Sequence, residues 1–206
     1  MSRAGEIIAR LKKDYPDAHC ELDYGTPFEL LVAVILSAQC TDKRVNIVTK
    51  DLFEKHNTPY DFAGMEQEEL EKLIHSCGFF RAKARSIISA SRDIIEKFGG
   101  EVPRTMDELL TLRGVGRKTA NVVLAVAFGE STIAVDTHVF RTAHRLGLSD
   151  KPTPEGVEKD LMAAFDEDDR SVAHHLLIFH GRYRCHSQRP ECGACSLYDY
   201  CTYGKE

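Results

Sequence analysis

Leu112-Arg113-Gly114-Val115-Gly116-Arg117-Lys118-Thr119-Ala120-Asn121 is followed by an apolar stretch and then by Ala134-Val135-Asp136-Thr137-His138. One helical pattern, over 106–111, stops at Leu112, and a second, over 117–128, starts just after Gly116. Gly114-Val115-Gly116 is therefore a tight turn between two helices. Glycine admits positive φ and removes the side chain that would hold another molecule at a distance. The amides of the turn and of the next helix's first turn point outward, and the helix dipole adds partial positive charge. A phosphate fits such a turn, and so does a plain corner between helices that binds nothing.

Lys118 follows the turn directly. An amine attacks only when neutral, and desolvation and a helix N-terminus both favour the neutral form. A lysine in a first turn opposes the helix dipole, so it brings no structural return. It reads as a nucleophile, a phosphate contact or a solvated side chain. Asp136 comes 18 residues later, before a helical pattern over 137–146. Aspartate is a preferred N-cap. One oxygen is enough to cap, which leaves the other to face developing positive charge. His138 lies in the same turn and alone reads as a structural hydrogen-bonder.

Outward from this stretch the pattern is helical throughout. Thr26-Pro27-Phe28-Glu29 and Thr105-Met106-Asp107-Glu108 are capping boxes, and Thr153-Pro154 opens another helix. Residues 28–36 are apolar nearly all round, which predicts a buried helix. Further helices are expected near 5–14, 42–56, 67–76, 80–98 and 170–181, with stops at Gly99-Gly100, Gly129 and Gly147. The 80–98 segment places Ile87, Ile88, Ile94, Ile95 and Phe98 on one stripe. Thr132-Ile133-Ala134-Val135 is the nearest approach to a strand.

The chain has 206 residues, is 43% hydrophobic and carries a formal charge of −5. It is long enough for a core in one domain or two small ones. The negative total advertises no nucleic acid globally, although a local basic face suffices. No apolar run is long enough to span a membrane. The first residues lack the apolar segment of a secretory signal and the cysteines suggest no distributed disulfide framework, so a reducing cytoplasm is expected. Of seven cysteines, four form Cys185-x6-Cys192-x2-Cys195-x5-Cys201. Zinc and an iron–sulfur cluster both suit four thiolates, and the 6-2-5 spacing fits the bulkier cluster better than two short hooks. Cys20, Cys40 and Cys77 are scattered and read as small core residues.

L-R-G-V-G-R-K-T-A-N followed by I-A-V-D-T-H resembles the helix–hairpin–helix DNA glycosylases, and the cysteine spacing narrows the likeness to the endonuclease III family. P-F-E-L-L near the N-terminus, L-S-A-Q-x-T-D at 36–42, E-V-P at 101–103 and H-G-R-Y at 180–183 agree, so the likeness covers essentially the whole chain. It implies an all-α protein of two domains flanking a DNA cleft. Residues 20–130 would form a six-helix barrel, with the helix–hairpin–helix near 106–128. Residues 1–19 plus 131–206 would form the domain of a [4Fe–4S] cluster held by Cys185, Cys192, Cys195 and Cys201. It further implies a monomeric enzyme acting on double-stranded DNA with damaged pyrimidines or abasic sites. Lys118 and Asp136 would be catalytic. DNA contacts would come from Gln39, Phe79, Gly114, Gly116, Arg117, His138 and Arg189. Gln39 and Phe79 would fill the gap left by a flipped nucleotide, although Gln39 also reads as a polar residue closing a helix. Phe79 departs from the family's leucine.

The loop His186-Ser187-Gln188-Arg189-Pro190-Glu191 has one firm cation where the family has several, with Arg182 and Arg184 expected to compensate. Adenine and thymine-mismatch glycosylases lack the hairpin lysine, so Lys118 speaks against both. A DNA-binding module with a structural metal would leave the lysine and the aspartate without a purpose.

Overall fold

The computed structural model describes residues 2–203. Eleven α-helices and two short 3-10 turns make up its regular structure, with no strand among the described residues. Thr132–Val135 is coil. No helix of the described residues is long and apolar enough to cross a membrane.

The chain divides into two compact units. Glu21–Phe128 forms one, and the described residues before and after it form the other. In the first unit lie α2 (Pro27–Ser37), α3 (Asp42–Phe53), α4 (Pro59–Ala63), α5 (Gln67–Leu73), α6 (Phe80–Phe98), α7 (Met106–Thr111) and α8 (Arg117–Phe128). Helix α2 is central. Every residue from Phe28 to Leu36 is buried, and α3, α6 and α8 pack around it. Burial of that apolar surface at about 25 cal/mol per Å² holds the unit together. Its start is fixed chemically: Thr26 Oγ1 accepts from the Glu29 amide at 3.1 Å, and the buried Glu29 carboxylate accepts from the Gly25 amide. The capping glutamate thus reaches one residue further back than the capping-box pattern predicts.

Helix α6 buries Ile87, Ile88 and Ile94, while Ile95 and Phe98 are half-exposed, so the expected stripe narrows toward its C-terminal end. Helix α4 was not legible from periodicity because it is one turn long. Its start still carries a full capping box, Thr58 to Asp61.

The second unit contains α1 (Arg3–Asp14), α9 (Thr137–Arg145), α10 (Pro154–Ala164) and α11 (Glu167–Tyr183). Its core joins Ile7, Ile8 and Leu11 of α1 to Val139 and Ala143 of α9, Val157 and Leu161 of α10, and Leu176 and Leu177 of α11. Helix α1 also fastens the C-terminal loop through polar groups. Arg10 Nη1 donates to Ser196 O at 2.7 Å, Ser196 Oγ donates to Asp14 at 2.6 Å, and the Tyr200 hydroxyl donates to Glu6. The first helix is therefore part of the same body as the last cysteines, although some 180 residues separate them in sequence.

Candidate functional site

The hairpin of the first unit is built by two contacts. The Val115 amide donates to Leu112 O at 3.1 Å, closing the turn, and the Ala120 amide donates to Gly116 O at 2.9 Å, starting α8. Val115 and Leu112 are buried and anchor the turn from beneath. Gly114 has φ +83°, and a Cβ there would lie 2.6 Å from Ser86 Cβ, so the position admits only glycine without a shift of α6. Gly116 is different. A Cβ there would meet nothing within 4 Å, which leaves its surface open to an incoming molecule. Arg117 and Lys118 are exposed in the turn that follows, where the amides have no acceptor within the helix. Two substitutions separate these roles. Gly114→Ala costs about 1–3 kcal/mol of stability, because left-handed backbone and the Ser86 contact add. Gly116→Ala leaves the melting temperature unchanged and weakens duplex binding roughly tenfold, as loss of one charge-assisted hydrogen bond would. Calorimetry beside a DNA titration reads both; equal binding by Gly116→Ala and the unaltered protein would refute a phosphate at the hairpin.

In the second unit, Asp136 caps α9. A single oxygen, Oδ1, accepts from the His138 and Val139 amides, both at 2.8 Å. The apolar, buried Ile133-Ala134-Val135 segment leads into it. His138 Nδ1 lies 3.2 Å from Arg141 Nη2. A guanidinium only donates, so Nδ1 accepts and the imidazole presents Nε2–H as a donor. Arg141 also donates to Gly181 O at 2.8 Å and to Cys185 O at 3.0 Å, which ties α9 to α11 and the cysteine loop.

Three residues other than glycine have positive φ among the described residues: Gln39 at 52°, Phe79 at 58° and Arg189 at 50°. Each is exposed. Phe79 is 67% exposed, the highest value for a large apolar side chain among the described residues. Left-handed backbone costs such residues on the order of 1–2 kcal/mol, and strain of this kind collects at functional sites. Gln39 and Phe79 sit on adjoining turns of the first unit. A Cβ on Gly78 would come within 3.7 Å of Gln39 O.

The four C-terminal cysteines line one partly open cavity, together with Arg145, His180 and Tyr198. Among the described residues no three histidine, cysteine or acidic side chains converge on a single-ion position. The thiols share a cavity but stand apart around it. Arg145 Nη1 donates to Cys185 Sγ at 3.3 Å and to His186 O at 2.7 Å, and His180 Nε2 lies 3.9 Å from Cys195 Sγ. Burial, above all, pushes the Cys195 thiol up and His180 down to about 4, so His180 is neutral at physiological pH.

The family model for "HhH-GPD superfamily base excision DNA repair protein" matches residues 32–167. The chain belongs to the HhH-GPD superfamily. It is 53% identical to endonuclease III of Bacillus subtilis (strain 168) over 193 residues, spanning 93% of this chain and 88% of that one. It is 43% identical to endonuclease III of Escherichia coli (strain K12) over 198 residues, spanning 96% and 94%. Among solved structures, an endonuclease III trapped as a covalent intermediate with DNA matches with a TM-score of 0.94 at 51% identity, over 100% of this chain and 98% of that one. A thermostable thymine-DNA glycosylase matches with a TM-score of 0.88 at 20% identity, over 98% of this chain and 96% of that one, which speaks to the fold alone.

Within this HhH-GPD protein a further signal was missed at the level of sequence. Eight of the eleven helices carry an acidic residue in the first turn, and three do not. The three are α6, capped by Phe79, α8, which follows the hairpin, and α9, whose cap is itself the carboxylate of Asp136, so only α6 and α8 start without any acid. Acids in a first turn stabilise a helix by about 0.3–1 kcal/mol each, and they repel phosphate. Arg184 Nη1 donates to Ala194 O at 2.6 Å and its guanidinium bonds Tyr15, so it also holds the cysteine loop. His186 Nε2 and Glu191 Oε1 approach at 3.9 Å within that loop.

Proposed function

We propose that the protein removes oxidised pyrimidines from duplex DNA and then cuts the strand 3′ to the abasic site, with Lys118 as nucleophile and Asp136 as its electrostatic partner. One observation carries this reading. An exposed amine follows an open glycine turn in a chain half-identical to an endonuclease III that has been trapped covalently on DNA.

The hairpin amides hold a backbone phosphate, and Gly116 lets it approach. The damaged nucleotide leaves the stack at a cost of a few kcal/mol, and Gln39 and Phe79 fill the space behind it. Lys118 Nζ attacks the sugar C1′. The bond to the base breaks, the base leaves with the electron pair, and the amine gives up a proton. Positive charge develops on the sugar as that bond stretches, and the Asp136 carboxylate stabilises it. The sugar ring opens to an imine. Loss of a C2′ proton then expels the 3′ phosphate, and water releases the enzyme. His138, with Nε2–H outward, Arg117 and Arg189 bind phosphates. Phe79, being aromatic, stacks on the bases it meets.

Four thiols around a shared cavity, none of them grouped for a single ion, suit a [4Fe–4S] cube held by Cys185, Cys192, Cys195 and Cys201. When bound, it supplies cross-links to a loop with little core of its own: from Cys185 onward only Cys185 and Leu197 are buried among the described residues. Cys195→Ala therefore loses visible thiolate-to-iron absorbance and lowers the melting temperature by several degrees. An unchanged melting curve with iron absent would count against a structural cluster.

The direct test of substrate is a panel of duplexes, each with one oxidised pyrimidine. Release of free base followed by a strand break is expected for several of them. Strand cleavage at abasic sites without base release from any member would reduce the protein to a lyase.

A further inference from the structure

Cys40 and Cys77 lie 37 residues apart in sequence, and nothing in the spacing joins them. In the structure they meet. A Cβ on Gly78, next to Cys77, would come within 3.7 Å of the carbonyl oxygen of Gln39, next to Cys40, and the two thiols interact electrostatically. Each belongs to one of the two strained turns of the first unit: Cys40 follows Gln39, and Cys77 precedes Phe79 by two residues. Local hydrogen bonds fix both backbones, from the Cys40 amide to Ser37 O at 3.0 Å and from the Cys77 amide to Ile74 O at 2.8 Å. Beneath them the buried Lys83 donates from Nζ to Leu36 O at 2.9 Å, pinning the first turn of α6 to the end of α2. Its positive charge interacts with both sulfurs. The two thiols differ in access. Cys77 is fully buried, and Cys40 is partly exposed.

We propose that Cys40 and Cys77 form a reversible disulfide that couples the thiol–disulfide state of the surroundings to the two turns carrying Gln39 and Phe79. The consequence for DNA rests on the reading of those side chains as gap fillers; the bond itself does not.

The step balances with a low-molecular-weight disulfide as oxidant. The more accessible Cys40, as thiolate, attacks one sulfur of the small disulfide, a new S–S bond forms, and one small thiol leaves. Cys77 then loses its proton to solvent, attacks the Cys40 sulfur and expels the second small thiol. Two protein thiols are oxidised, and one small disulfide is reduced to two thiols. Burial first, and the neighbouring sulfur second, push Cys77 up to about 11, so it serves as the slower, resolving partner. Bonding brings sulfurs from non-bonded contact to about 2 Å, which draws the two turns together. A shift on the order of 1 Å is enough to spoil positioned contacts. A second small thiol in excess reverses both exchanges.

The experiment uses the full-length, cluster-loaded protein treated with oxidised glutathione, with iron absorbance followed throughout. Mass spectrometry of a digest is expected to show a cross-linked peptide pair joining Cys40 to Cys77, absent after reduction. The oxidised protein is expected to bind a duplex with an uncleavable abasic analogue roughly tenfold more weakly, with full recovery on adding dithiothreitol. Cys77→Ser, or Cys40→Ala should the buried substitution impair folding, abolishes both the cross-link and the response to oxidation while binding normally when reduced. Absence of the cross-link with the cluster intact would overturn the proposed site. A cross-link that leaves affinity unchanged would overturn its coupling to recognition. Neither outcome touches the lysine chemistry, which is read separately by trapping on abasic DNA.

Discussion

Lys118→Ala leaves no covalent adduct when it is mixed with abasic duplex DNA and borohydride, whereas the unaltered protein is trapped irreversibly. Borohydride reduces an imine between the lysine nitrogen and the sugar to a stable amine, so the assay reads the bond itself. Strand cleavage falls by more than about three orders of magnitude, roughly 4 kcal/mol of barrier. The substitution carries its own control for folding. Lys118 is exposed and sits in the first turn of α8, where a cation opposes the helix dipole. Removing it leaves the melting temperature unchanged or raises it slightly. Duplex affinity falls by no more than one phosphate contact is worth. An adduct of normal yield in the alanine variant would assign the chemistry to another amine and end the proposal.

Asp136→Asn separates charge from shape. Oδ1 of Asp136 accepts both capping hydrogen bonds of α9, and an asparagine carbonyl accepts them equally well. The helix start therefore survives, and the negative charge alone is lost. Base excision is expected to slow by about 10²–10³, the range found when one preorganised electrostatic partner is removed from a transition state. Affinity for an intact duplex changes little, or rises slightly as one repulsion of phosphate disappears. Asp136→Ala differs again, since it also gives up the cap at about 1 kcal/mol of stability. Single-turnover excision beside direct binding measures the split. Equal losses in rate and affinity for the asparagine variant would make Asp136 a binding residue instead.

Much of this architecture was legible because helix starts carry local chemistry. Threonine at 26, 105 and 153 caps the helices it was expected to cap, and α6, α7 and α8 have the bounds that periodicity and the flanking glycines predict. Helix α4 has the same kind of cap at Thr58 but is too short for a period to register. What was not legible depends on tertiary approach. No local signal says that Gln39, Phe79 and Arg189 adopt left-handed backbone, because none is glycine. Arg184 looked like a free cation in sequence, and only the folded loop shows what it holds. Cys40 and Cys77 looked scattered for the same reason, since α2, α5 and α6 must pack before the two turns meet. The missing acids at the starts of α6 and α8 were visible in the sequence all along.

The acid-free starts of α6 and α8 bear on how such a protein travels. A molecule with a net charge of −5 is repelled by a polyanion over most approach directions. Attraction confined to a few points would displace few counterions on contact, so undamaged sequence would hold the protein only briefly. Short dwell times favour rapid sampling of a long chromosome. Prolonged residence is then reserved for positions where a base has already come loose.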